Sequence, residues 1–393
     1  MYALLFSGAG LTPAAISSLF ALWSLTTFAF EIPSGIWADA HSRRRLLTLA
    51  PLLTATGFAL WTLRPTYTAF AAGFVLWGLG SALTSGSLQA LVYDHLDHLG
   101  ATPAYARLMG RAHTLGATAT LLATALAAPL TATGGYQATG WASITVCLLT
   151  ALAAHNLPET RHRSNRKPDP HDPHDPHDDA PADPAEDHPA APPPATMADI
   201  ARTGWRQARD HPRVRHALLL VIALTWIGAL DEYLPLLARS ASAAPDTVPL
   251  LILLATLGHT AGGWFTEHGH RHLAPLLALA ALCLAAGALS RHPAGMLPVA
   301  LAYGIFQWAA TIADARLQHQ ITDHARATVT SLAGIGEEAV ALLAFTGYAL
   351  GSTWTGPDHL FAIAAAPYLL LALLLHRTGR PRPPAGNDTK TPP

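Results

Sequence analysis

Five carboxylates interrupt apolar stretches of this chain: Glu31, the neighbours Asp231 and Glu232, and the neighbours Glu337 and Glu338. A charged residue at membrane depth costs about 2.5–3.5 kcal/mol on insertion scales, so it turns toward protein or water. Such a group can take up a proton on one side of a barrier and release it on the other, which is the chemistry of ion-coupled transport. Adjacent helical residues point about 100° apart, so only one member of each pair can face a given cavity. Glu31 stands eight residues before Asp39 on one helical stripe, about 12 Å deeper. The competing reading for these acids is structural, as partners paired where helices meet. Asp314 and Arg316, near the end of their span, read as such a pair. Gln89, Trp226, Tyr303, Gln307 and Trp308 also fall within apolar spans. A mostly apolar site with a few polar contacts suits an amphipathic organic molecule, and the alternative for each of the five is packing.

A second constellation lies at a boundary between two apolar segments, in the stretch from Gly35 through Asp39 to Arg43, Arg44 and Arg45. Gly35, Asp39 and Arg43 are spaced four apart, so a helix stacks Gly35 and Asp39 on one face. A glycine that lets helices approach, an acid just inside the interface and a basic turn together make a latch between helices. The plainer alternative is that the three arginines only anchor the topology.

The elements that must position these groups are apolar runs at roughly 13–39, 45–63, 67–93, 104–130, 135–156, 213–239, 246–266, 272–290, 294–318, 326–353 and 358–376. They make the chain an all-α polytopic membrane protein of about eleven full spans. Composition agrees: 51% apolar residues, only 12% charged, and a mean hydropathy of +0.27 that a polar middle dilutes. Runs rich in Leu, Ala and Gly suit helices rather than alternating barrel strands. A net charge of −1 gives nucleic-acid binding no electrostatic support. Cys147 and Cys283 both lie in apolar runs and read as packing residues. The start lacks a basic n-region, which disfavours a cleaved signal peptide. No Gly-x-x-x-x-Gly-Lys-Ser/Thr loop is present, so ATP-driven work by this chain alone is unsupported.

The apolar parts form two halves, 1–157 and 212–378, separated by 158–211 and followed by a tail at 379–393. The Pro/Asp/His/Ala-rich stretch from Lys167 to Pro194 has nothing with which to bury a core and is expected to be disordered. Residues 196–211 read as an amphipathic surface helix anchored by Ile200 and Trp205. If the Arg43–Arg45 loop is cytoplasmic and the helices alternate, only Arg64, Arg239 and Arg291 of the 24 Lys and Arg fall outside. That bias places the linker and the tail in the cytoplasm. The halves also echo each other. Gly263, Glu267 and Arg271 repeat the spacing of Gly35, Asp39 and Arg43, and Asp94 followed by Arg107 is mirrored by Asp314 followed by Arg326. Two similar six-helix bundles in the same orientation follow. In this register Tyr2 to Pro13 corresponds to Tyr233 to Pro245, so the first helix lacks roughly 18–20 residues by comparison with the seventh. The expectation is a truncated first helix and a native start upstream of Met1.

The six-plus-six plan, the long linker and the Gly35–Arg45 loop resemble the major facilitator superfamily. Its signature loop after the second helix reads Gly-x-x-x-Asp-(Arg/Lys)-x-Gly-Arg-(Arg/Lys). Gly35, Asp39, Arg43 and Arg44 match it, while Ala40 and Ser42 depart from it. Leu157-Pro158-Glu159-Thr160 looks like the Pro-Glu-Thr that often closes the sixth helix of this family. The resemblance implies two bundles that rock about a central site, bordered by the fourth, seventh and tenth helices. It implies that Asp39 meets the other bundle near the start of the eleventh helix. Arg43 or Arg44 would pair with an acid at the inner end of the fourth helix, Asp94 first and Asp97 second. The fifth helix offers Gly110, Gly116 and Ala128-Pro129 but not the Gly-Pro kink common in proton-driven exporters.

Other classes are weaker. His268, His270 and His272, with His95 and His98, raise a di-iron membrane enzyme, but such enzymes need more clusters and leave the repeat unexplained. Glu337-Glu338 lacks the arginine that paired-glutamate intramembrane proteases carry four residues on, since Leu342 stands there. A non-transporting sensor of the same fold is the remaining alternative. The sequence thus points to a secondary transporter of a small organic solute, working by alternating access. It is expected to be proton-coupled, to sit as a monomer in the plasma membrane and to need no cofactor. Its partners are the bilayer, the solute and protons. Efflux is favoured because exporters are numerous in the family.

Overall fold

Within a bilayer the backbone must satisfy its own hydrogen bonds, so an apolar run that spans it becomes a helix. The computed structural model describes residues 2–40, 42–85, 87–158, 211–241, 247–263, 272–320 and 326–378, and among these there is no strand. The linker, the histidines at 268 and 270, the loop repeat at Glu267–Arg271, the tail and the side chains of Gly35, Asp39 and Arg326 lie outside that description.

The first half contains α1 (Tyr2–Gly8), α2 (Pro13–Ala40), α3 (Arg43–Leu63), α4 (Tyr67–Thr84), α5 (Ser87–His98) and α6 (Tyr105–His155). The second contains α7 (Pro212–Leu224), α8 (Trp226–Asp231), α9 (Leu234–Ala241), α10 (Val248–Gly262), α11 (Leu273–Leu289), α12 (Met296–Gln320), α13 (Arg326–Gly351), α14 (Pro357–Ala364) and α15 (Ala366–Thr378). Eight segments are long and apolar enough to cross a membrane, and α10 and α11 are shorter apolar helices.

The segment that includes α6 is long enough for two crossings of about 20 residues each. It folds back at Gly135, whose φ of 61° and ψ of −157° only glycine adopts readily. Residues eight apart in a straight helix are separated by about 12 Å, yet the hydroxyls of Thr131 and Thr139 approach to 3.4 Å. Both arms of a hairpin are therefore present, matching the two runs expected at 104–130 and 135–156.

Several runs expected to be continuous are broken. The run at 67–93 leaves the helix at Ser85, whose ψ is 127°. The run at 213–239 is interrupted twice. Thr225 donates its hydroxyl back to the Val221 carbonyl, a bond that loosens helices. Pro235 has no N–H and its ring clashes with the carbonyl four residues earlier, which ends α8 at Asp231. Pro367 does the same between α14 and α15.

The packing repeats between halves. α3 packs on α4 and α6, as α11 packs on α12, α14 and α15; α2 packs on α4, as α10 packs on α12. Across the halves α2 meets α13 and α6 meets α10. The two halves thus share a packing pattern, and the short α1 packs against α2 and α9. The α10–α12 crossing is close because glycines form it. A Cβ on Gly258 would lie 2.1 Å from the Ala300 carbonyl oxygen, and one on Gly262 would lie 2.0 Å from that of Gly304. One apolar core runs through both halves, with Phe6, Phe20 and Phe74 from the first and Tyr233, Phe306 and Phe361 from the second fully buried.

Candidate functional site

Ser42 stands where the resembled loop has glycine, and its side chain accepts the backbone N–H of Arg45 at 3.2 Å. It thereby caps α3, satisfying one donor of the first turn. The cap leaves Arg43, Arg44 and Arg45 on the positive end of the α3 dipole, where cations are disfavoured. An acid from another helix answers that charge: Arg43 forms an ion pair with Asp94 of α5, and both side chains are largely shielded from solvent. Arg44 also has partners. Asp97 is exposed. Asp39 and Gly35 are placed in the last turns of α2 by their backbone.

The candidate acids fall into two groups. In the first, Ser24 of α2 donates its hydroxyl to Glu338 of α13, a hydrogen bond between the two halves. Glu31 and Glu337 lie within range of direct repulsion with Glu338, and Asp314 with Glu337. Glu31 and Asp314 are exposed although both sit in helices of the bundle. In the second group, the Tyr2 hydroxyl donates to Glu232, again across the halves. The charge of its neighbour Asp231 reaches His259 of α10, and both acids reach Tyr303 of α12.

Aromatic rings also join the halves. The Tyr233 hydroxyl donates to Ser17 at 2.7 Å, and the Tyr233 ring stacks on Tyr348 with centroids 3.6 Å apart. Phe20 meets Tyr233 at 5.3 Å and Phe345 at 5.7 Å. Among the described residues, the hydrogen bonds and ring contacts that join the halves lie between Tyr2 and Ser24 on one side and Glu232 and Tyr348 on the other. These contacts join α1 and the first part of α2 to α8, α9 and α13, and the exposed acids Glu31 and Asp314 lie farther along α2 and α12.

The other candidates do not share one pocket. Gln89 lines a cavity of about 770 Å³ inside the first half, with Thr54, Ser81, Thr84, Cys147 and Thr150. Trp308 lines an apolar groove of about 590 Å³ between α10, α11 and α12. Trp226 donates its ring N–H to the Ala364 carbonyl at 3.2 Å, tying α8 to α14. Gln307 is half-buried. Tyr303 is buried beside Asp231, and its hydroxyl has no hydrogen-bond partner among the described residues. Among those residues no group of three metal-ligating side chains occurs.

Sequence reading passed over His259, Tyr2, Ser17 and Ser24. His259 carried a signal, since an ionisable residue within an apolar span is a functional candidate by default. Tyr2 and the serines carried none, because their roles depend on how the halves meet.

A profile described as Major Facilitator Superfamily matches residues 1–344. No curated protein matches the chain. Among solved structures, the nucleoside transporter NupG superposes with a TM-score of 0.67 at 13% identity, covering 96% of this chain and 93% of that one. A D-xylose–proton symporter superposes with a TM-score of 0.64 at 14% identity, covering 94% and 89%. An auto-inhibited POT family peptide transporter gives a TM-score of 0.64 at 14% identity, covering 96% and 91%. At these identities the likeness is one of fold.

Proposed function

Since this chain belongs to the Major Facilitator Superfamily, we propose that it is a secondary transporter in which proton binding to Glu232 and Glu338 biases the packing of the two halves. The observation that carries this reading is that both glutamates accept a hydroxyl from the opposite half, Tyr2 to Glu232 and Ser24 to Glu338. An ionised carboxylate is the stronger acceptor, so it holds the halves together. Adding a proton weakens that hold and lets the bundles separate. Glu31 and Glu337 both place negative charge within reach of Glu338.

In this reading the units that move are residues 1–157 and 212–378. The arginine-rich end is cytoplasmic, and the protein sits in the plasma membrane as a single chain. The cluster of Tyr233, Tyr348, Phe20 and Phe345 between the halves is then the extracellular gate, and Glu31 and Asp314 lie toward the cytoplasmic side. Arg43, Asp94 and Asp39 form the latch that closes the inner side. The solute is a small organic molecule, and we assign outward movement in exchange for protons.

The test is flux of labelled small organic solutes in proteoliposomes, with a pH gradient of either sign and with none. Gradient-dependent flux that Asp39→Asn impairs without loss of insertion is expected. Flux indifferent to the gradient removes proton coupling, and absence of flux for every solute favours a sensor of the same fold.

A further inference from the structure

The cavity of about 770 Å³ that Gln89 lines is walled by α3, α4, α5 and both arms of α6, all in the first half. Its volume falls in the range of about 300–1,000 Å³ typical of small-molecule pockets. One wall is closely packed: a Cβ on Gly80 of α4 would lie 2.7 Å from the Ala50 carbonyl oxygen of α3, and both residues line the cavity. The polar groups share a bias. The hydroxyls of Thr54, Thr84 and Thr150 donate to the carbonyls of Ala50, Gly80 and Val146 in their own helices, at 3.2, 3.0 and 2.8 Å. A hydroxyl has one proton, so toward the cavity these three oxygens can only accept. None of the three residues is buried, which leaves their oxygens surface to offer. Gln89 is exposed as well, and its amide, with two N–H donors and a carbonyl acceptor, makes no hydrogen bond to a described residue. Among the described residues no charged side chain lines the cavity. The rest of the wall is apolar, with Leu47, Trp77 and Met109.

We propose that this cavity binds an uncharged amphipathic molecule that has an apolar ring body and a hydroxyl group. A ligand hydroxyl donates to one of the threonine oxygens and accepts from the Gln89 amide, so it uses both kinds of group the wall presents. An ether or ketone would accept from Gln89 and leave the threonine oxygens unused. An ammonium or carboxylate would enter a membrane-embedded space without a counter-charge, which is costly. The apolar wall takes the ring body. Every residue that lines the site belongs to one half, so the site does not depend on how the halves move or on the transporter reading.

The test is protection of Cys147, which lines the cavity, in the full chain in lipid nanodiscs. Alkylation by N-ethylmaleimide is followed by peptide mass spectrometry, with the free Cys283 of α11 in the other half as the internal control. The probes are 4-hydroxybiphenyl, 4-methoxybiphenyl, biphenyl-4-carboxylate and biphenyl-4-methylamine, which share a body and differ in the polar group. The hydroxyl compound is expected to slow Cys147 alkylation several-fold and to leave Cys283 unchanged, with the other three much weaker. In Gln89→Leu its half-protecting concentration is expected to rise about fivefold, as for loss of one hydrogen bond. The unliganded rates of the two cysteines show whether that variant keeps its fold, and the probe series on the unaltered chain decides if it does not. Equal protection by the methoxy compound would reveal an apolar space that any lipid-like molecule fills, and would overturn the proposal. So would protection by either charged probe, equal slowing of both cysteines, a half-protecting concentration unchanged in folded Gln89→Leu, a Cys147 that is unreactive without probe, or no protection at all.

Discussion

Ser24 of α2 donates a hydrogen bond to Glu338 of α13, one of two hydroxyl–carboxylate contacts that join the halves of the chain. A glutamine at 338 keeps an oxygen that can accept from Ser24 but loses the ability to titrate. Glu338→Gln is therefore expected to retain exchange of labelled for unlabelled solute across proteoliposomes and to lose accumulation driven by a pH gradient. Measuring both in one preparation separates a coupling group from a packing group. Loss of exchange together with accumulation would assign Glu338 to structure.

Arg43 and Asp94 are 19% and 24% exposed at their side chains. That shielding puts the pair above the ~0–1 kcal/mol of a surface salt bridge, and each residue of a shielded pair left alone is penalised. Both have further partners, so single variants mix effects. A double-mutant cycle with Arg43→Gln and Asp94→Asn isolates the contact, and a coupling of about 0.5–3 kcal/mol in thermal unfolding is expected. If the pair is a latch, the same variants also change how readily a reporter on the inner ends of α2 and α5 is labelled.

Most of the fold was legible because the bilayer imposes it. Apolar runs of a set length become helices, and the fold-back of α6 follows from Gly134 and Gly135 standing between two such runs. The Arg43–Asp94 meeting has a sequence-level cause as well, since three arginines on a helix N-terminus call for an acid nearby. The breaks at Ser85 and Thr225 had no proline to announce them. The contacts of Tyr2 with Glu232 and Ser17 with Tyr233 span more than two hundred residues and exist only because of the way the bundles dock. His259 was written in the sequence as an ionisable residue in an apolar run, but Asp231, whose charge reaches it, arrives on another helix.

Arg291 donates its Nε–H to Asp358 at 2.5 Å, with His359 at 3.1 Å from the same oxygen. Arg291 has a φ of 51°, the sole positive value for a non-glycine among the described residues, and it sits between α11 and α12. Asp358 is in the first turn of α14, where a negative charge is favoured, and its side chain is nearly buried. The pair therefore ties the α11–α12 connection to α14. Asp358→Ala removes both the charged hydrogen bond and the first-turn charge and is expected to destabilise the second half by about 1.5–3 kcal/mol. Arg291→Gly removes the guanidinium but relieves the backbone, so its cost is expected to be smaller. Melting temperatures of the two variants in detergent check the order.

The α10–α12 crossing gives the sharpest test of packing. The atoms that a Cβ at Gly262 would meet belong to the Gly304 backbone, at 2.0 Å for its carbonyl oxygen, and not to a side chain that could rotate away. Gly262→Ala must therefore push the two helices apart, at a cost of about 1–3 kcal/mol. Gly347, in α13, has nothing within 4 Å of the same position. There alanine gains the helix propensity that glycine lacks, so Gly347→Ala is expected to be neutral or stabilising by about 0.4–1 kcal/mol. The pair shares one chemical change and differs only in surroundings, so opposite shifts in thermal unfolding attribute the effect to contact.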